Sequence, residues 1–125
     1  MDRARILCVD DDPHINELNE IVLTRAGFEV VIAASPADAI ERFKIGTFDL
    51  VVTDLFSDQS SDAEFIGNLR KLAPSVPIIV VSGNDSPPPE ILRLVNAFLV
   101  KAYSLNALTE SVREVLMHEK LRRIG

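Results

Sequence analysis

The sequence is short of cysteine, of long apolar runs and of positive charge, and each shortage narrows what the chain can be. A single cysteine, Cys8, excludes an internal disulfide framework and suits a reducing compartment. The longest apolar runs, such as Ile78 to Val81, are far too short to cross a membrane. The opening residues, Met-Asp-Arg-Ala-Arg, carry no apolar stretch of a secretory signal, so a cytoplasmic location without membrane contact is expected. Thirteen Lys and Arg stand against nineteen Asp and Glu, a net charge of −6 that argues against direct nucleic-acid binding. The one basic cluster, Lys120, Arg122 and Arg123, reads as a helix end whose cations suit the helix dipole.

At 125 residues, with 47% hydrophobic and 26% charged, the composition is that of one globular domain spanning residues 1–125. Near-continuous apolar runs at Ile6 to Val9, Leu50 to Thr53, Ile78 to Val81 and Phe98 to Val100 suit strands covered on both faces. Phe28 to Ala33 is a fifth, more exposed strand. Between the runs lie helical patterns. The first opens at Pro13 and ends near Gly27, with Ile15, Leu18 and Val22 turned inward. The second has Ser35 as N-cap and Asp38 completing a capping box, with Ile40 and Phe43 inward and Gly46 at its end. The third carries Phe65, Ile66, Leu69 and Leu72 before Pro74 stops it. The last starts after Ser104 and uses Leu105, Leu108, Val112, Val115 and Leu116. Ser86-Pro87-Pro88-Pro89 leaves only about Glu90 to Asn96 for a fourth helix, short or irregular and held by packing. Five βα repeats predict an α/β fold, a doubly wound five-stranded parallel sheet with helices on both faces.

Two strands end in acids. The first runs into Asp10-Asp11-Asp12 and the third into Asp54. Ligands of open parallel sheets bind at the carboxyl ends of the strands, so these carboxylates converge on one rim. Asp12 before Pro13 is assigned to capping the first helix; Asp10, Asp11 and Asp54 remain as a functional cluster. Clustered carboxylates are relieved by a cation or a raised pKa, and an all-oxygen set favours Mg²⁺, Mn²⁺ or Ca²⁺ over zinc. The fourth strand adds Ser82-Gly83 to the same rim and the fifth adds Lys101. A hydroxyl and an ammonium beside carboxylates are what a phosphoryl group on one of them requires.

These motifs, Ile6-Leu7-Cys8-Val9-Asp10-Asp11, Asp49-Leu50-Val51-Val52-Thr53-Asp54, Pro77-Ile78-Ile79-Val80-Val81-Ser82-Gly83 and Phe98-Leu99-Val100-Lys101, resemble the receiver domain of bacterial two-component response regulators, the chemotaxis-regulator-like kind. The resemblance covers nearly the whole chain and implies a flavodoxin-like fold. It implies that Asp54 is the phosphoacceptor, taking its phosphoryl group from a histidine kinase or histidine phosphotransfer protein. It implies Mg²⁺ (or Mn²⁺) held by Asp10, Asp11, Asp54 and the backbone carbonyl of Phe56. Ser82 matches the switch hydroxyl, Lys101 the lysine that contacts the phosphoryl group, and Phe98 the aromatic that rotates inward on activation. Gly83 matches the small residue that leaves room for the donor.

The chain departs from the family pattern in three places. The loop after Asp54 reads Ser57-Asp58 and Ser61-Asp62 where the family has Met-Pro and Asp-Gly. Asp58 is read first as a solvated loop charge, with an extra acceptor beside the metal as the alternative. Ala102 follows the lysine in place of proline, so a trans bond is expected, since a cis bond there costs about 2.5–4 kcal/mol. The shortened fourth helix leaves Ile91, Leu92, Leu94 and Val95 too many for one inward stripe. Apolar surface beside Phe98 and Tyr103 is therefore expected, with protein contact, including homodimerisation, through the face of helix four, strand five and helix five. Rival readings are a degenerate receiver that only binds partners and an aspartate-nucleophile phosphohydrolase; the latter typically has a general acid two residues after the nucleophile, where this chain has Phe56. His14 and His118 are expected on helix surfaces, and Cys8 in the core.

Overall fold

The computed structural model describes residues 3–55, 59–83, 88–100 and 105–124. Five strands and five helices alternate: β1 (Arg5–Val9), α1 (Pro13–Arg25), β2 (Glu29–Ala33), α2 (Pro36–Ile45), β3 (Leu50–Asp54), α3 (Gln59–Leu72), β4 (Ile78–Ser82), α4 (Pro89–Leu92), β5 (Ala97–Val100) and α5 (Leu105–Ile124). All strand pairs are parallel, in the order β2-β1-β3-β4-β5. The expected doubly wound sheet is therefore present, with β1 and β3 as neighbours near its centre.

Strand alternation divides the core in two. Leu7, Val9, Val51, Ile78 and Val80 pack with Ala39, Phe65, Ile66, Leu69 and Ile91 on one face. Ile6, Cys8, Leu50, Val52, Ile79 and Val81 pack with Leu23, Leu108 and Val112 on the other. The central strands β3 and β4 are buried throughout, which is why they read as unbroken apolar runs. Edge strand β2 is covered only in part, as its mixed sequence predicted.

Helix caps match the sequence well. Asp12 Oδ1 accepts from His14 N at 2.9 Å, and Pro13 occupies the first turn. Ser35 Oγ accepts from Asp38 N at 3.1 Å, but the Asp38 carboxylate reaches back to Ala34 N rather than to Ser35 N, so the capping box is displaced by one residue. Gly27, at φ 101°, makes the left-handed turn from α1 into β2 that a residue with a Cβ would strain to adopt.

One helix expectation needs correction, and two more helices show detail that the sequence left open. In α1 the buried residues are Asn16, Asn19 and Leu23, while Ile15 and Val22 flank them and Leu18 is 40% exposed. The helix is rotated by about one residue step, 100°, from the most apolar stripe, because the Asn16 amide is drawn to backbone carbonyls under the β1–α1 loop. In α3, Phe65, Ile66 and Leu69 are buried, and Leu72, in the last turn, is exposed. Finally, α4 is short as expected, a single turn from Pro89 to Leu92 that starts one residue before the stretch of about Glu90 to Asn96 and stops four residues short of its end. Pro88 is its N-cap and Pro89 its first residue, a place where a missing N–H costs nothing.

Candidate phosphoacceptor and metal site

Parallel register builds the site. Val9 pairs with Thr53, so the residues that follow, Asp10 and Asp54, leave adjacent strands at the same level. Both have the parity of Cys8 and Val52, which puts them on the same side of the pleat. Asp11 follows at the exposed mouth of the β1–α1 loop, whereas Asp10 and Asp54 are buried. One carboxylate oxygen from each of the three lies within 4.8 Å of the others.

That donor set fits a hard divalent cation. It is all oxygen, it is concentrated, and it is the single group of three or more acidic, His or Cys ligands among the described residues. Two ordinary carboxylates about 4 Å apart repel by about 1 kcal/mol in water and by several-fold more near a protein surface, so a cation at their centre relieves a standing cost.

Ser82 ends β4, buried, one residue beyond Val81, the partner of Asp54. Val80 pairs with Phe98 and Ser82 with Val100, so Ser82 and Phe98 share one side of the sheet, and Phe98 packs, half-buried, against the core there. Gly83 is exposed, and a Cβ built on it meets nothing within 4 Å. Lys101, Ala102 and its preceding bond, Tyr103, Phe56 and Asp58 lie outside the described residues. Of the expected set, Asp10, Asp11 and Asp54 are thus brought together, with Ser82 on the next strand.

His14 and His118 are exposed on α1 and α5, and neither belongs to the carboxylate cluster. Cys8 is fully buried, and desolvation, with a smaller contribution from Glu20, pushes its thiol up to about 12. It behaves as a small apolar residue.

One residue at the site went unnoticed in the sequence. Asn16 is 3% exposed, and its Nδ2 donates to the carbonyl of Asp10 at 2.7 Å and to that of Ala33 at 3.2 Å. Among the described residues, no donor reaches its Oδ1. Leaving a buried acceptor unmet costs about 1–3 kcal/mol. The signal available was a polar residue four positions after the capping Asp12, on a helix otherwise supplied with apolar candidates.

Comparison with known proteins agrees with this geometry. The response regulator receiver domain model matches residues 6–113. The transcriptional regulatory protein GlrR of Escherichia coli (strain K12) is 30% identical over 116 residues, covering 90% of this chain and 26% of GlrR. The DNA-binding transcriptional regulator NtrC of Bradyrhizobium sp. (strain RP501 Parasponia) is 29% identical over 127 residues, 98% of this chain and 26% of that protein. The chain therefore spans about a quarter of the length of these curated relatives. Among solved structures, a CheY-like response regulator receiver domain protein from Methanospirillum hungatei JF-1 superposes with a TM-score of 0.90 at 27% identity, covering 97% of this chain and 99% of that one. The response regulator TrrA of Thermotoga maritima, in complex with Mg(2+)-BeF, does so at 0.80 and 29% identity, covering 90% and 98%. Since the match takes in both acid-bearing strand ends and the β2-β1-β3-β4-β5 sheet that aligns them, the chain belongs to the receiver domains of two-component response regulators.

Proposed function

We propose that Asp54 is the phosphoacceptor of this receiver domain and that Asp10 and Asp11, with Asp54 itself, hold the divalent cation the transfer needs. The observation that carries this reading is the convergence of the three carboxylates within 4.8 Å at the carboxyl end of two central strands. A carboxylate oxygen of Asp54 attacks phosphorus in line, the new O–P bond forms, and the P–N bond of a donor phosphohistidine breaks, the imidazole leaving with a proton. The cation, Mg²⁺ or Mn²⁺ by the hardness of its ligands, supplies charge neutralisation at the phosphoryl oxygens when bound. Asp10, Asp11 and Asp54, with the backbone carbonyl of Phe56, would hold it, and the Ser82 hydroxyl and Lys101 ammonium would hydrogen-bond the phosphoryl oxygens.

The added charge then acts through Ser82 and Phe98, whose β4–β5 register puts them on one side of the sheet, to change the surface of α4, β5 and α5. That surface meets the output partner, including a second copy of this chain. Residues 1–125 act as one receiver unit in the cytoplasm, with α5 continuing into a linker where the parent protein is longer. No described helix is long and apolar enough to cross a membrane.

Incubation with a small-molecule phosphodonor, with and without Mg²⁺, followed by mass mapping, tests the reading. The expected result is one label, on Asp54, only with the cation present. Undiminished stable labelling of Asp54→Ala would refute it, as would equal labelling in excess chelator.

A further inference from the structure

The Asp10–Asp11–Asp12 segment is fixed at each of its peptide links. The N–H of Asp10 donates to Ala33 O at 3.2 Å, continuing the β1–β2 ladder. The carbonyl of Asp10, in the peptide that carries the Asp11 nitrogen, accepts from Asn16 Nδ2 at 2.7 Å. The N–H of Asp12, in the peptide that carries the Asp11 carbonyl, donates to Asp10 Oδ1 at 2.9 Å. Asp12 O in turn accepts from Asn16 N at 3.1 Å. Asp11 itself is exposed, yet the peptide planes on both of its sides are held, and the plane on its N-terminal side is held by one side chain.

The orientation of that side chain is determined by its partners. Both groups at Nδ2 are carbonyl oxygens, Asp10 O and Ala33 O, so turning the amide over would set oxygen against oxygen twice. Asn16 occupies a buried position facing the sheet that an apolar side chain would fill without leaving an unmet acceptor. What the amide supplies there, and leucine cannot, is the fixed direction of the Asp10–Asp11 peptide.

We propose that Asn16 is a positioning residue for divalent-cation binding: by holding the Asp10 carbonyl it sets the Asp11 carboxylate in the place where it completes the cluster with Asp10 and Asp54. Asn16 touches neither the cation nor the phosphoryl group. It acts as the outer hydrogen-bond partners of metal ligands do, whose loss typically lowers metal affinity about 10- to 100-fold. The proposal rests on the assignment of the acidic cluster as the cation site.

The test compares wild type, Asn16→Leu, Asn16→Ser and the core control Leu69→Ala by calorimetric Mg²⁺ titration, thermal melting in chelator, and phosphodonor labelling across a Mg²⁺ series. Leu69 lies on the opposite face of the sheet, so its truncation destabilises the fold without touching the β1–α1 loop. Both Asn16 variants are expected to bind Mg²⁺ about tenfold or more weakly. Their labelling curves shift to higher Mg²⁺ yet recover most of the wild-type rate at saturation, while Leu69→Ala keeps the wild-type midpoint. A wild-type Mg²⁺ midpoint in either folded Asn16 variant overturns the proposal, as does an equal shift in Leu69→Ala. Failure of both Asn16 variants to fold overturns it too, in favour of a purely structural role. Absence of Mg²⁺ binding by the wild type defeats the cation-site assignment itself, a result distinct from these.

Discussion

Nε of Arg70 lies 2.9 Å from the carbonyl oxygen of Leu94, tying the end of α3 to the turn that follows α4. The same guanidinium donates to Val76 O and, at 2.8 Å, to Asn96 Oδ1, which also accepts from Ile78 N. A four-residue helix cannot hold itself, so α4 relies on Ile91 in the core and on this anchor at its far end. Arg70→Met should therefore lower unfolding free energy by about 1.5–3 kcal/mol, the range for hydrogen bonds to charged groups. Urea unfolding gives the magnitude, and amide exchange gives the place. Faster exchange is expected first at Leu94 and Asn96, whose N–H groups bond Ile91 O and Ile78 O. A uniform rise in exchange across the sheet would mean that Arg70 is no local anchor.

Neutralising one member of the acidic cluster should stabilise the protein when no cation is present. Asp54→Asn removes a charge from three carboxylates gathered within 4.8 Å. A gain of about 1–3 kcal/mol is expected in chelator, given roughly 1 kcal/mol per close pair in water and about 4 near a protein surface. Saturating Mg²⁺ should shrink or reverse the difference, because the cation stabilises the wild type more. Thermal melts of both proteins with chelator and with Mg²⁺ check this; equal melting temperatures in all conditions would contradict it.

The Cys8 thiol should be inert in the native state and should weaken the fold at alkaline pH. Burial holds it protonated up to about 12, whereas in the unfolded chain it ionises near its ordinary value of 9. Between these values the unfolded state carries fewer protons, so stability is full below about pH 9 and falls as pH rises towards 12. Cys8→Ala should flatten that alkaline decline. A thiol reagent at pH 9 should modify the native protein only at its unfolding rate; modification within the mixing time would show the thiol to be accessible.

The fold was legible because its dominant signals are short and local. Leu50 to Thr53 and Ile78 to Val81 are buried on both faces, so their sequences show it without reference to anything distant. Asp12 and Ser35 cap helices through atoms two and three residues away. The cluster of Asp10, Asp11 and Asp54 was legible because the ends of parallel strands share one rim, and the Val9–Thr53 register turns that expectation into adjacency.

What escaped was set by bonds between residues distant in sequence. Ile15, Leu18 and Val22 form the more apolar stripe of α1, but the Asn16 amide meets the Ala33 carbonyl seventeen positions away and rotates the helix to its own face. Residue periodicity counts hydrophobicity and does not see that bond. Leu72 carries the right spacing on α3, yet it is exposed, and the spacing does not tell it from its buried neighbours. The turn at Leu94 likewise depends on Arg70, twenty-four residues earlier.

The face of α4 and β5 should associate when Asp54 is phosphorylated. Leu92 is 46% exposed and Val100 37% exposed, with Phe98 half-buried between the strand and the core. One turn of helix has room to turn Ile91 inward, and Leu92, the next residue, is then carried about 100° round to solvent. Among the described strands β5 is last in the sheet, paired with β4. Exposed apolar side chains on α4 and β5, the strand whose Phe98 shares a face with Ser82, are well placed to change when Ser82 engages a phosphoryl group. Sedimentation of the protein with a phosphodonor and Mg²⁺ should show self-association at least tenfold tighter than without. Leu92→Glu should remove that gain while labelling of Asp54 proceeds at the wild-type rate, since Leu92 is no part of the acidic cluster. A monomer at all concentrations in both states would sink the homodimer reading. Unchanged association by Leu92→Glu would move the contact to another face.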